Sequence, residues 1–517
     1  MLINKETEGK KVIYNVIFSC IAFLTNAYIS LFITPFITES LGAEAYGFVK
    51  LANDFASYGS LVTLALNSMS SRFIMLANEK GNQEEARAYY TSVTIANILL
   101  AVVLLIPSLI LVLCVNRILD VPQGMLKEVQ FTFIWTFTNF LVCLAGTTFG
   151  NCFFLKNKLY ISSIITSVTS LLRAIFIVVV FGIVGPKISI LAFGAIVVTA
   201  IFMPCNVVFH RKLTPELYFD KRLFDFNKIR VVVASGIWNS ITRLSQILTT
   251  GLDLLITNLL LGALEMGYLS VAKTIPNYIS SLINTLGNAF TPNMMQYYAK
   301  NDMEGLNKTI RSSMRLMSIF STIPNAILIT MGTLFYSLWV PDQPSKLINT
   351  LSVITVIGSC VQGPMQPLYQ VFTLTNKIRQ SSIAYIIQGF LSILVTILCV
   401  KHFGLGVYAI AGVSVLLSIF TALGYHLPMA AVYIGLPWHS FYWEIIKNIL
   451  ILFVQCFAGF AFIHIYAIKK SWFMLIVGVV ILGIFGLVFT SIMILDKEEK
   501  QHIVNMFSKK IQLIRRG

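Results

Sequence analysis

Runs of about 20 predominantly apolar residues recur from one end of this chain to the other, each long enough to cross the roughly 30 Å hydrocarbon core of a bilayer as an α-helix. They fall at 12–38, 46–70, 91–115, 129–151, 159–183, 188–209, 231–258, 266–290, 314–340, 349–372, 381–400, 404–426, 444–466 and 472–495. So many runs leave too few polar residues to coat a water-soluble surface: of 517 residues, 56% are hydrophobic and only 12% charged, and the mean hydropathy is +0.79. The expected fold is an all-α integral membrane protein of about fourteen transmembrane helices, with almost nothing folded outside the bilayer.

Lys5, Glu6, Glu8 and Lys10 precede the first apolar run and no small-residue cleavage site follows it, so the first span is expected to be a retained helix. The eight cysteines lie inside expected spans or, for Cys152, directly at the end of one, without a paired-cysteine motif or clustered histidines, so neither a disulfide framework, a metal site nor a cofactor is expected. Basic loops stay cytoplasmic. With the N-terminus inside, the internal segments hold 27 of the 38 Lys and Arg residues and the external loops 7, which sets both termini of this multi-pass protein in the cytoplasm. The net charge of +16 is then topological, and nucleic-acid binding, which needs a basic face on a folded domain outside the membrane, is excluded. Ile503, Phe507, Ile511 and Ile514 share a helical face in the basic tail from Asp496 to Gly517, which reads as a helix lying on the anionic leaflet or as a frayed charged end.

The chain also repeats itself. Leu41-Gly42-Ala43-x-x-x-Gly47 matches Leu261-Gly262-Ala263-x-x-x-Gly267 at an offset of 220, and without a gap the same offset pairs Ala52 with Ala272, Tyr58 with Tyr278, Ser60 with Ser280, Leu66 with Leu286, Lys80 with Lys300 and Glu84 with Glu304. Six spans separate the copies, an even number, so the repeats enter the membrane in the same direction. The expected organisation is an N-lobe at 1–210, a linker at 211–230, a C-lobe at 231–427, two further spans at 428–495 and the tail at 496–517. Two parallel lobes joined by short loops describe a transporter that alternates between inward-open and outward-open states, with substrate at the lobe interface. A purely structural duplication gives the same pattern. Prolines inside spans, among them Pro35, Pro107, Pro204, Pro276, Pro324, Pro364 and Pro367, supply kinks.

The stretch Leu31-Phe-Ile-Thr-Pro-Phe-Ile-Thr-Glu-Ser-Leu-Gly-Ala-Glu-Ala-Tyr-Gly47, followed by a second span and the loop Arg72-Phe-Ile-Met-Leu-Ala-Asn-Glu-Lys-Gly-Asn-Gln-Glu-Glu-Ala86, resembles the polysaccharide transporter family, the O-antigen and capsule-repeat flippases of the multidrug/oligosaccharidyl-lipid/polysaccharide exporter superfamily. The likeness covers the whole chain in topology and about 50 residues per lobe in motif, and the second copy departs from it with Met266 where the first has Tyr46. The resemblance implies a flippase that moves an undecaprenyl-diphosphate-linked oligosaccharide from the cytoplasmic to the outer leaflet. It also implies a lipid-tail groove at the two extra C-terminal spans, and a glycan polymerase and glycosyltransferases as candidate partners; the oligomeric state is open.

Six ionisable residues stand deep in expected spans, away from the outermost residues of each: Lys50, Asp54, Arg173, Arg243, Asp253 and Lys273. Each costs at least about 2.5–3.5 kcal/mol on insertion scales, so each is a functional candidate by default. The four cations suit a cavity that receives a diphosphate, because arginine forks two hydrogen bonds onto phosphate oxygens and lysine adds a point charge. Lys50 and Asp54 stand four apart on one helix, which equally allows a structural ion pair. Arg173 could pair with Asp54 or Asp253. Arg243 lies deep in its span and Lys273 replaces the Asn53 of the first copy, so these two are the leading substrate-binding candidates, with Asp54 and Asp253 as charge partners or ion-coupling groups. Asn26, Asn239, Gln246, Asn284 and Asn288 could line a cavity, although polar residues of this kind more often hold helices together.

Other classes are less well served. An ion-coupled multidrug or metabolite exporter of the same superfamily would want a carboxylate in the N-lobe cavity, for which only Asp54 is available. A membrane glycan polymerase or ligase would want a large external loop with catalytic charges, and every external loop is shorter than about 15 residues; no acid pair, histidine cluster or nucleophile constellation is visible, so an enzyme is not expected.

Overall fold

Hydrocarbon offers no water to backbone N–H and C=O groups, so a chain of apolar windows must bond its backbone internally, and helices do this locally. The computed structural model describes residues 2–466 and 470–496, and among these every regular element is helical. The basic tail face at Ile503, Phe507, Ile511 and Ile514 lies outside the described residues. Contacts divide the chain into two compact units, residues 1–271 and 272–517.

The first unit contains α1 (Leu2–Glu79), α2 (Gln83–Ile118), α3 (Leu126–Gly146), the short α4 (Asn151–Leu155), α5 (Leu159–Val184), α6 (Ile188–Leu213), α7 (Phe226–Gln246), α8 (Asp253–Leu261) and nearly all of α9 (Ala263–Ala272). The second contains α10 (Thr274–Asn288), α11 (Thr291–Ala299), α12 (Met303–Trp339), α13 (Ser345–Gln362), α14 (Gln366–Leu374), α15 (Ile378–Phe403), α16 (Gly406–Thr421), α17 (Leu427–Tyr433), α18 (Tyr442–Tyr466) and α19 (Trp472–Ile494). The protein is an all-α, multi-span membrane protein. α7, which the repeat assigns to the second lobe, packs in the first unit along the second half of α1. There the Ser240 hydroxyl donates to the Leu61 carbonyl (2.9 Å), the Asn239 amide donates to Ser68 Oγ (3.0 Å), and Gly236 leaves no room for a Cβ against the Ala65 carbonyl.

By length and apolarity, eleven helices among the described residues qualify as membrane spans, or up to twelve if the pair α13 and α14, bent by 53°, is one. The difference from the expected fourteen has identifiable places. One of the eleven, Ile17–Asn78, runs through both of the first two expected spans, with a single non-helical residue, Gly42, between them. The expected span at 266–290 is cut at Lys273 into α9, of 10 residues, and α10, of 15, each too short to qualify alone.

The offset of 220 reappears in the backbone. Gly42 has φ 86° and ψ 165°, and Gly262 has φ 104° and ψ 178°, a conformation that a side chain would strain. Gly81 and Asn301, also 220 apart, are both left-handed (φ 76° and 58°). The next residues cap helices in the same manner: Asn82 Oδ1 accepts from the Glu85 amide (3.1 Å) to open α2, and Asp302 Oδ1 from the Gly305 amide (2.8 Å) to open α12.

The two copies of the repeated motif also touch each other. A Cβ on Gly267 would stand 2.5 Å from the Ala43 carbonyl carbon and 2.7 Å from the Glu44 amide nitrogen, and one on Gly47 would stand 2.9 Å from Met266 Cε and 3.1 Å from Gly267 Cα. Ala43-x-x-x-Gly47 and Ala263-x-x-x-Gly267 therefore form a small-residue crossing at which α1 and α9 approach backbone to backbone. Met266, the departure from the Tyr46 pattern, is fully buried in that crossing. Gly267→Val is expected to cost about 1–3 kcal/mol through overpacking against backbone that cannot yield. Gly81→Asn, which installs the residue of the second copy in open space, is expected to leave stability unchanged; thermal unfolding of the purified protein in detergent measures both.

Candidate functional site

Lys50, Asp54, Ser57 and Tyr58 stand at i, i+4, i+7 and i+8 on α1, a spacing that places them on one helical face. The Lys50 ammonium lies 5.1 Å from the ring centre of Tyr46, one turn earlier. α7 brings Arg243 to this face: Nη2 donates to Ser57 Oγ (3.3 Å) and Nη1 to Gln246 Oε1 (3.1 Å), so the hydrogen bonds that hold the guanidinium go to neutral groups. After α7 the helix widens into a π turn, Ile247–Gly251. The Tyr58 hydroxyl donates to the Gly251 carbonyl (2.5 Å), two residues before the buried Asp253 that opens α8. Asp54 stands one turn before Tyr58 on α1, and Asp253 follows two residues after the Gly251 that Tyr58 bonds. Asp54, Arg243 and Asp253 thus gather around Ser57 and Tyr58, with Lys50 a turn further along α1.

The two other cations stand elsewhere. Arg173 Nη2, on α5, donates to the Leu191 carbonyl of α6 (3.1 Å), a bond that ties those two helices together. Lys273 belongs to the second unit, at the break before α10. The carbonyl before it, that of Ala272, accepts from Ser352 Oγ (2.6 Å) and from the Tyr336 hydroxyl (3.4 Å), which bond each other at 2.6 Å. The interruption at Lys273 is therefore held open by two side chains of neighbouring helices.

Several polar candidates hold helices together. Asn26 accepts from the Ser170 hydroxyl (2.6 Å), Asn239 bonds Ser68, and Asn288 accepts from the Gln370 amide (2.9 Å). Sequence reasoning missed Ser57 and Tyr58, which carry no charge and so gave no hydropathy signal; the register with Lys50 and Asp54 was the available clue. It also missed the pairing of Arg315, which is 8% exposed between Glu444 (3.7 Å) and Asp496 (3.0 Å). Among the described residues no three His, Cys, Asp or Glu side chains gather as a metal site.

Residues 12–298, more than half of the chain, match the family model described as polysaccharide biosynthesis protein. The chain belongs to that family. The resemblance read at 31–47 and 72–86 is borne out at this level. The chain is 29% identical over 502 residues to the uncharacterized membrane protein EpsK of Bacillus subtilis (strain 168), with 94% of this chain and 96% of that protein covered. Among solved structures it is similar to the lipid II flippase MurJ in an inward closed conformation, with a TM-score of 0.69 at 15% identity over 92% of this chain and 98% of that one. It is also similar to an inward-facing multidrug resistance MATE family transporter of the MOP superfamily, with a TM-score of 0.57 at 13% identity over 82% of this chain and 98% of that one. At these identities the likeness establishes a shared transporter fold.

Tyr58→Phe leaves the Gly251 carbonyl without that donor in apolar surroundings and is expected to cost about 1–3 kcal/mol. Ser57→Ala loses one long bond to a partly buried guanidinium and is expected to cost under about 1 kcal/mol. Thermal midpoints of the two purified variants check the ranking.

Proposed function

We propose that this protein is a flippase: it moves an undecaprenyl-diphosphate-linked oligosaccharide from the cytoplasmic to the outer leaflet of the bacterial inner membrane by alternating access, for cell-surface polysaccharide synthesis. The observation that carries this reading is Arg243. A guanidinium deep in a span, held by the neutral Ser57 and Gln246, keeps its charge available for an anion, and a diphosphate is the anion that a lipid-linked sugar presents. Lys50 in the first unit and Lys273 in the second are the further anion-binding candidates. Lys273 stands where a helix is interrupted, the kind of position at which transporters build substrate sites. Family membership and the fold shared with a lipid II flippase support the same class of cargo.

In this reading the chain crosses the membrane fourteen times with both termini in the cytoplasm, and the lipid tail runs against the apolar, lipid-facing sides of α18 and α19, where Phe453, Phe457 and Ile484 are exposed. The glycan polymerase and the glycosyltransferases of the same polysaccharide are its expected neighbours. A second reading, an ion-coupled exporter, draws on Asp54 and Asp253 about Tyr58, two carboxylates placed where a proton or sodium ion could be exchanged.

Deletion of the gene is expected to trap lipid-linked repeat units on the cytoplasmic leaflet, seen by lipid extraction. Arg243→Ala and Lys273→Ala are each expected to abolish surface glycan while membrane abundance stays normal. Normal surface glycan in both variants would sink the proposal. Unaltered glycan together with lost drug resistance would favour the exporter.

A further inference from the structure

The last two helices are bonded to the second unit in a way that their apolar sequence does not announce. α13 ends at Gln362, and the residue four beyond Cys360 is Pro364, which has no N–H to offer the Cys360 carbonyl. That carbonyl instead accepts from Asn448 Nδ2 on α18 (2.8 Å), and Asn448 is fully buried. The π turn Ala422–His426 presents the same problem: the π partner of the Leu423 carbonyl, five residues on, is Pro428. The Leu423 carbonyl accepts from the hydroxyl of Tyr442, the first residue of α18 (2.6 Å). One helix thus supplies donors to two carbonyls that prolines have deprived of theirs.

The attachment continues along the full length of the pair. At one end Arg315 of α12 bridges Glu444 of α18 (3.7 Å) and Asp496 just after α19 (3.0 Å), while Arg311 bonds the Ser440 carbonyl (3.0 Å) and lies 5.1 Å from the centre of the buried Phe441 ring. Midway, the Gln455 amide of α18 donates to Thr490 Oγ1 of α19 (2.5 Å). Towards the other end, glycines let the helices close on α12: a Cβ on Gly459 would stand 2.7 Å from Thr330 Cγ2, and one on Gly486 would stand 3.1 Å from Ile323 Cγ1.

We propose that α18 and α19 are a fixed brace of the second unit: α18 completes the backbone bonding of the two proline-broken helices, and the pair moves with α12 and α13 as one body. Any opening of this protein then occurs elsewhere in the fold. Spin labels at two lipid-facing positions, Phe320→Cys on α12 (43% exposed) and Phe453→Cys on α18 (68% exposed), introduced after replacement of the native cysteines, read this directly by pulsed EPR in lipid nanodiscs. A single narrow distance, unchanged by pH between 5.5 and 8 and by sodium replacement, is expected; a broad or shifting distribution overturns the proposal. Tyr442→Phe keeps the ring and removes only the donor. It is expected to lower the thermal midpoint by about 2–4 °C, the scale of one lost hydrogen bond in a unit of this size, and to broaden the spin-label distance. Asn448→Leu is expected to do the same or to prevent folding. An unchanged midpoint and an unchanged distance in Tyr442→Phe and a folded Asn448→Leu would show that neither bond holds the brace.

Discussion

The interaction on which the structure depends is the backbone hydrogen bond in hydrocarbon. In water a broken helix can lend its free carbonyls to solvent; inside a bilayer each must find a donor in the protein. The chain breaks its helices at several places and at four of them supplies a side chain from another helix. Tyr58 serves Gly251, Ser352 and Tyr336 serve Ala272, Asn448 serves Cys360, and Tyr442 serves Leu423. Such cross-helix bonds are one task of the hydroxyls and amides inside apolar spans, and they fix which helices must be neighbours.

Much of this was legible in the sequence, and its limits follow from the same physics. Hydropathy finds the apolar windows because transfer free energy adds along a segment, and the repeat was legible because positions 42 and 262 carry the same glycine for the same bend; the matching backbone work at 81 and 301 and at 82 and 302 is done by different residues and emerged only from the structure. The break at Lys273 was invisible: a ten-residue and a fifteen-residue helix in sequence give one continuous apolar window. The pairing of Arg315 was invisible because its partners, Glu444 and Asp496, are more than a hundred residues away, and no local pattern announces a pair that only packing brings together. Of the six charges, proximity on α1 predicted the company of Lys50 and Asp54, whereas the approach of Arg243 and Asp253 to that face depends on how α7 lies along α1.

The Leu-Gly-Ala-x-x-x-Gly motif also changes its meaning once the backbone is known. In the sequence it carried the repeat and the family resemblance. Its physical content is a bend at the leucine–glycine step followed by a helix whose small residues admit the other copy to backbone contact. Two requirements, a positive φ at the first glycine and the absence of a side chain at the second, account for both glycines.

The intramembrane cations can then be sorted by what compensates them. A charge at the centre of a span costs on the order of 2.5–3.5 kcal/mol, and a hydrogen bond to a charged group returns about 1.5–3 kcal/mol. Arg173, bonded to the Leu191 carbonyl, and Arg243, bonded to Ser57 and Gln246, are each brought close to balance by neutral acceptors. Compensation by neutral groups differs from compensation by a carboxylate, because it stabilises the guanidinium without cancelling its field. Arg173 spends its bond on the main chain of a packed helix and has a structural task. The bonds described for Arg243 go to side chains that can turn, Ser57 and Gln246, so under the proposed function an arriving anion can replace them without disturbing the main chain, while Asp54 and Asp253 at the same face balance the charge of the empty site.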